Sequence, residues 1–187
     1  LLDCGAVTAG GLMDENTQNT RLDMQRSEVN LKAMELMQYD AVAISSDEFN
    51  FGKDFFLKNA RKNNPAFLSV NLESDKVEPY IFKQVSGIKI GIIGLTNLSA
   101  SQKSEGLKIG LPKAIGQLVS RLKNQGAEVV IVLSTLGKKE DLDLISKVKG
   151  IDLLLMGDNP AKEDLETKVD STFIVRPSWQ GRKLGKL

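Results

Sequence analysis

The chain contains no histidine, a single cysteine, almost no net charge and no apolar run near the length of a membrane span. Without histidine, any chemistry rests on other side chains. Cys4 alone excludes an internal disulfide and offers no paired metal ligand, and it fits a cytoplasmic protein as well as a secreted one that does without bridges. With 25 basic and 24 acidic residues, no field of one sign draws the chain to nucleic acid or to an anionic membrane. Partners are then an unknown small molecule or protein. The opening residues show no basic region, hydrophobic stretch and cleavage site in succession. LLDC reads as the middle of a strand, so upstream residues are expected to be missing.

What is there is enough for one compact domain: 187 residues bury about 70% of their unfolded surface on folding. Periodicity alternates short buried strands with helices. Residues 28 to 38 place Val29, Ala33, Leu36 and Met37 on one helical face, with Ser27 as the N-cap. The segment from Val7 to Arg26 is polar and reads as a long loop, its TAGG (8 to 11) only loosely like a phosphate-cradling turn. AVAI (41 to 44), AFLSVNL (66 to 72), VVIVL (129 to 133), LLLM (153 to 156) and TFIVRP (172 to 177) read as strands. YIFKQV and IKIGIIGLT pair around Ser86-Gly87. Helices are predicted over 52 to 62, over 111 to 126 with Pro112 near its start and Gly126 past its end, and over 138 to 150. Such alternation implies a layered α/β domain with a largely parallel sheet.

In α/β sheets of this kind the ligand crevice lies beyond the carboxyl ends of the strands. The residues there are Gly5 and Ala6, then Ser45 to Glu48, then Thr96 and Asn97, then Ser134 and Thr135, then Gly157 to Asn159. Each alone is a turn former or helix cap. Together they converge as one polar rim.

At these residues the chain resembles a known family. LLDCGA, LKAMELMQYDAVAISSDEFNFG, PYIFKQVSGIKIGIIGLTN, AEVVIVLSTLG, GIDLLLMGDNP and RPSWQGRKLGKL, in that order, are similar to the calcineurin-like metallophosphoesterase domain of the 5′-nucleotidase and UDP-sugar hydrolase family. The resemblance implies a four-layer αββα sandwich with two mixed sheets. It implies a single domain over residues 1 to 187, lacking its first strand, with the family's C-terminal nucleotide-binding domain absent. It also implies a periplasmic or secreted location.

The family binds two divalent metals through Asp, His and Asn, and uses them to activate water and clamp a phosphoryl group. Carried over by resemblance, the bridging Asp falls on Ala6, the Asn on Ser46, and the catalytic His on Asp47. The next His falls on Thr135, and the last two fall on Asp158 and Pro160. The family's first motif would precede Leu1. Neither alanine nor proline has a donor in its side chain, and a lost ligand opens the metal geometry. The expectation is a degenerate member with no catalytic residue and no cofactor, acting as a binding or scaffold module.

Two other readings stand beside it. Asp47, Glu48 and Asp158, assisted by Ser46, Thr135 and Asn159, form an oxygen-rich set suited to calcium or magnesium, and hence to an altered phosphoesterase. Against that, Asp47 caps the following turn and Glu48 accepts backbone amides. The other reading is a redox protein centred on Cys4, which shares a strand face with Ala6. No neighbouring group lowers its pKa, so a core role is preferred. Asn97 completes the crevice candidates. Arg176 and Arg182, with Trp179 between them, suit an anionic ring-bearing ligand, although the segment resembles one that closes the domain.

Overall fold

A computed structural model of the chain describes residues 1–8, 20–60, 65–74, 76–98, 115–157 and 168–176. Nine strands and four helices lie in these segments, in the order β1 (Leu2–Asp3), α1 (Thr20–Leu36), β2 (Ala41–Ala43), α2 (Lys53–Ala60), β3 (Ala66–Leu68), β4 (Tyr80–Val85), β5 (Ile88–Leu95), α3 (Ile115–Asn124), β6 (Val129–Ser134), α4 (Lys138–Lys147), β7 (Leu153–Met156), β8 (Lys168–Val169) and β9 (Thr172–Val175). One turn of 3-10 helix, Ser46–Phe49, follows β2.

The strands form two sheets, β1-β2-β3 and β4-β5-β6-β7-β9-β8. The described strands of the smaller sheet are all parallel. The larger sheet is parallel from β5 through β9 and carries an antiparallel strand at each edge, β4 on β5 and β8 on β9. The β4–β5 hairpin turns at Ser86 (φ 51°) and Gly87 (φ 89°), the two left-handed residues that a type I′ turn requires.

Strand alternation sorts the apolar residues into three cores, which makes the molecule a helix–sheet–sheet–helix sandwich. Val42 on β2 and Ile44 just past its end face the α2 side and pack with Phe56, Phe67 and Met34. Ala41 and Ala43 face the other way, against Leu68, Ile92, Ile131, Leu133 and Leu153 between the sheets. On β6, Val130 and Val132 join Leu118, Leu122 and Ile145 under α3 and α4. Period-2 patterning thus fills both faces of both sheets. The sheets also approach closely: a Cβ built on Gly94 would lie 2.1 Å from the Leu68 carbonyl oxygen. Only glycine fits there.

Four expectations change. The segment read as a loop to Arg26 is helical from Thr20, so Ser27 lies inside α1 instead of capping it, and its hydroxyl donates to the Asp23 carbonyl at 3.0 Å. Residues 9–19 lie outside the described ones. The apolar face foreseen on this helix points outward: Val29 is 67% and Leu36 74% exposed, and Met37 is also exposed. The buried stripe is Asp23, Ser27 and Met34, with Leu31 packed beside it. Apolar spacing marks a stripe on a helix without fixing which surface receives it. The strand predicted to Leu72 stops at Leu68, because the Ser69 amide turns to the Glu78 carbonyl at 2.9 Å. Thr96 then closes a buried network there: the Thr96 hydroxyl donates to Ser69 (2.7 Å) and the Thr96 amide to Asn71 (2.9 Å). Finally, β8 and its turn at Asp170 gave no periodic signal, since a two-residue strand is shorter than any pattern. The predicted residues 61–62, 111–114 and 177 lie outside the described ones.

Candidate strand-end site

The carboxyl ends of β1, β2, β5, β6 and β7 meet, and their polar atoms bond across the gaps between strands. Thr135 is the centre of this arrangement. Its hydroxyl lies 3.0 Å from the Ile44 carbonyl and 3.1 Å from the Leu95 carbonyl, so its single proton bridges the ends of β2 and β5. The same oxygen accepts the Asn97 amide at 3.2 Å, and Asn97 Nδ2 donates to the Leu136 carbonyl at 3.2 Å. One half-buried hydroxyl therefore stitches both sheets together at the rim.

Glu48 forms a second tie. It is fully buried, and both its oxygens are occupied: Oε1 accepts the Val7 amide (2.7 Å), and Oε2 accepts the Ser45 amide (2.7 Å) and hydroxyl (2.6 Å). With Ser45 accepting the Asp47 amide at 3.2 Å, this is a capping box on the 3-10 turn. Burial pushes the Glu48 carboxyl above its ordinary value, and its hydrogen bonds partly offset that rise. Of the two roles weighed for Glu48, acceptance from backbone amides is the one its geometry shows. The cap of the turn is Ser45 and not Asp47, whose side chain stands half-buried beside it.

Gly5 and Ala6 connect β1 to this knot, and both are left-handed (φ 98° and 64°). A Cβ on Gly5 would lie 2.8 Å from that of Ser45. Ala6 is exposed, and its amide donates to Ser45 Oγ at 3.2 Å. A positive φ suits glycine, asparagine or aspartate and strains alanine. Cys4 is buried, and its thiol donates to the Leu155 carbonyl at 3.6 Å. Burial, then the charges of Asp3 and Asp141, push that thiol far above its ordinary value. The nucleophilic thiolate is correspondingly suppressed.

Asp141 was not foreseen. It sits fully buried in the first turn of α4 and accepts the Ser134 hydroxyl at 2.5 Å. The signal was an acidic residue in the first turn after a strand-end serine, a pattern common enough to pass as capping. Asp158, Asn159, Pro160, Trp179 and Arg182 lie outside the described residues. Among the described residues, no three His, Cys, Asp or Glu side chains gather at metal-binding range, and no helix is long and apolar enough to cross a membrane.

No protein-family profile matches the chain. It is 33% identical over 147 residues to a 5′-nucleotidase of Vibrio parahaemolyticus, an alignment covering 76% of this chain and 24% of that protein. Its backbone superposes on the Thermus thermophilus sulfate thiohydrolase SoxB with a TM-score of 0.73 at 22% identity, covering 94% of this chain and 33% of that one. A 5′-nucleotidase precursor from Thermus thermophilus gives 0.69 at 22% identity, covering 94% and 38%. The chain thus spans about a quarter of the length of the curated relatives it matches.

Proposed function

Because the homologues of this chain are 5′-nucleotidases and YfkN-like calcineurin-like phosphoesterases, we propose that it keeps their framework as a binding or scaffold module without two-metal hydrolase activity. The observation that carries the reading is the direction of the strand-end polar atoms, which bond to the protein's own main chain. Thr135 stands where the resemblance places an imidazole, and its hydroxyl holds Ile44, Leu95 and Asn97. Glu48 is saturated by Val7 and Ser45. At the bridging position, Ala6 presents a methyl group on a backbone twist that favours a short polar side chain.

Two divalent cations a few Å apart need several anionic or imidazole donors free to turn toward them. The described donors do not fit such a pair. The Cys4 redox reading is disfavoured by the buried, proton-retaining thiol. Export to the periplasm or medium is part of the proposal and draws on the relatives alone.

The test is phosphate release from AMP, UDP-glucose and an aryl phosphate by the purified protein, with manganese or zinc added. The expected rate is that of the buffer control. Metal-dependent turnover well above it would refute the reading.

A further inference from the structure

Arg176 follows β9 directly, one residue past the register pair Leu155–Val175, and so stands beside the carboxyl ends of β7 and β9. Its Nε and Nη2 are buried and have no hydrogen-bond partner among the described residues. Other arginines of the chain are engaged: Arg26 pairs with Asp23 at 2.8 Å, and Arg121 lies over the Tyr80 ring at 5.3 Å.

The two orphaned nitrogens are a matched set. Nε and Nη2 form one side of the guanidinium, where two N–H bonds run nearly parallel at the spacing of two oxygens on one carboxylate or phosphate. A buried lysine or histidine can shed its proton when no partner is present, but a guanidinium cannot. Dry, charged donors are among the costlier groups to leave unmet. The position is also where ligands meet α/β sheets, outside the carboxyl ends of parallel strands.

We infer that Arg176 anchors an anion subsite at the ends of β7 and β9, holding a phosphate or carboxylate side-on through Nε and Nη2. The inference goes beyond the non-hydrolytic reading and does not depend on it, since the subsite would bind an anion whether or not the strand-end rim cleaves one.

Thermal unfolding of the wild type and of Arg176→Lys and Arg176→Gln tests it, with inorganic phosphate or acetate titrated against chloride at matched ionic strength. The wild-type Tm rises saturably, by about 3–6 °C at ten times Kd. Arg176→Gln gives a flat response, and Arg176→Lys loses most of the shift because an ammonium has no fork. A larger rise with phosphate identifies a phosphoryl ligand, and a larger rise with acetate a carboxylate. The inference is overturned if neither anion exceeds chloride, or if Arg176→Gln responds as the wild type does. If Arg176→Gln fails to fold, phosphorus NMR line broadening is compared between wild type and Arg176→Lys: broadening in the wild type alone supports the subsite, and equal spectra overturn it.

Discussion

Replacing Glu48 by glutamine probes the strand-end knot with the smallest change of shape. The glutamine oxygen can take the place of Oε2 and keep both bonds from Ser45. Its amide nitrogen then faces the Val7 N–H, a donor against a donor, where the carboxylate accepted at 2.7 Å. A hydrogen bond to a charged group contributes about 1.5–3 kcal/mol, and a buried amide left unmet costs about 1–3 kcal/mol more. Removing a fully buried charge returns part of this. The net loss is about 2–3 kcal/mol, which lowers Tm by about 4–12 °C for a chain of this size. Urea and thermal unfolding of both proteins at pH 7 measure it. An unchanged urea midpoint at unchanged m, or a more stable variant, would refute the reasoning.

The same pair has a pH signature. Burial raises the folded Glu48 carboxyl above its ordinary value of 4.5, so the folded chain holds this proton more tightly than the unfolded chain. The wild-type advantage over Glu48→Gln is therefore largest below about 4.5 and narrows as pH rises through the raised value. An advantage that widens with pH would show the hydrogen bonds outweighing burial.

Three further outcomes follow from single positions. Ala6→Gly relieves a left-handed backbone at an exposed residue and is expected to stabilise by about 0.5–1 kcal/mol after the added unfolded-state entropy, so a lower urea midpoint would count against the strain. Gly94→Ala drives a methyl into the Leu68 carbonyl between the sheets, and a loss of about 3 kcal/mol or more is expected; near-wild-type unfolding would mean that the sheets can separate cheaply. Cys4 is expected to resist a thiol reagent at pH 8 until denaturant is added, and fast labelling of the native protein would contradict its burial.

The contrast between α1 and β6 shows what could be read from the chain alone. VVIVL is buried on both faces, so its apolar run needed no partner to be recognised as a strand. In α1 the apolar residues Val29 and Leu36, with Met37 just past its end, mark a face, yet the face that packs carries Asp23 and Ser27. Hydrophobic spacing names a stripe but not the surface that receives it. At the rim, the same limit applied to Glu48 and Thr135. Their positions after strands were legible, whereas their hydrogen-bond partners lie up to 91 residues away in sequence.

The sequence by itself determined the order of the helices and of every strand but β8, the Ser86-Gly87 turn, the polar strand ends and the resemblance that names the framework, because each rests on neighbouring residues. Tertiary structure alone decided that β1 to β3 form a separate sheet, that Gly94 sets how near the sheets come, and that Ser45, Glu48 and Thr135 bond inward. It also decided that Nε and Nη2 of the half-buried Arg176 are shut away from solvent without an acceptor among the described residues. The physical reason is that burial and hydrogen-bond satisfaction belong to pairs of groups brought together by folding, and no local pattern encodes the second member of the pair.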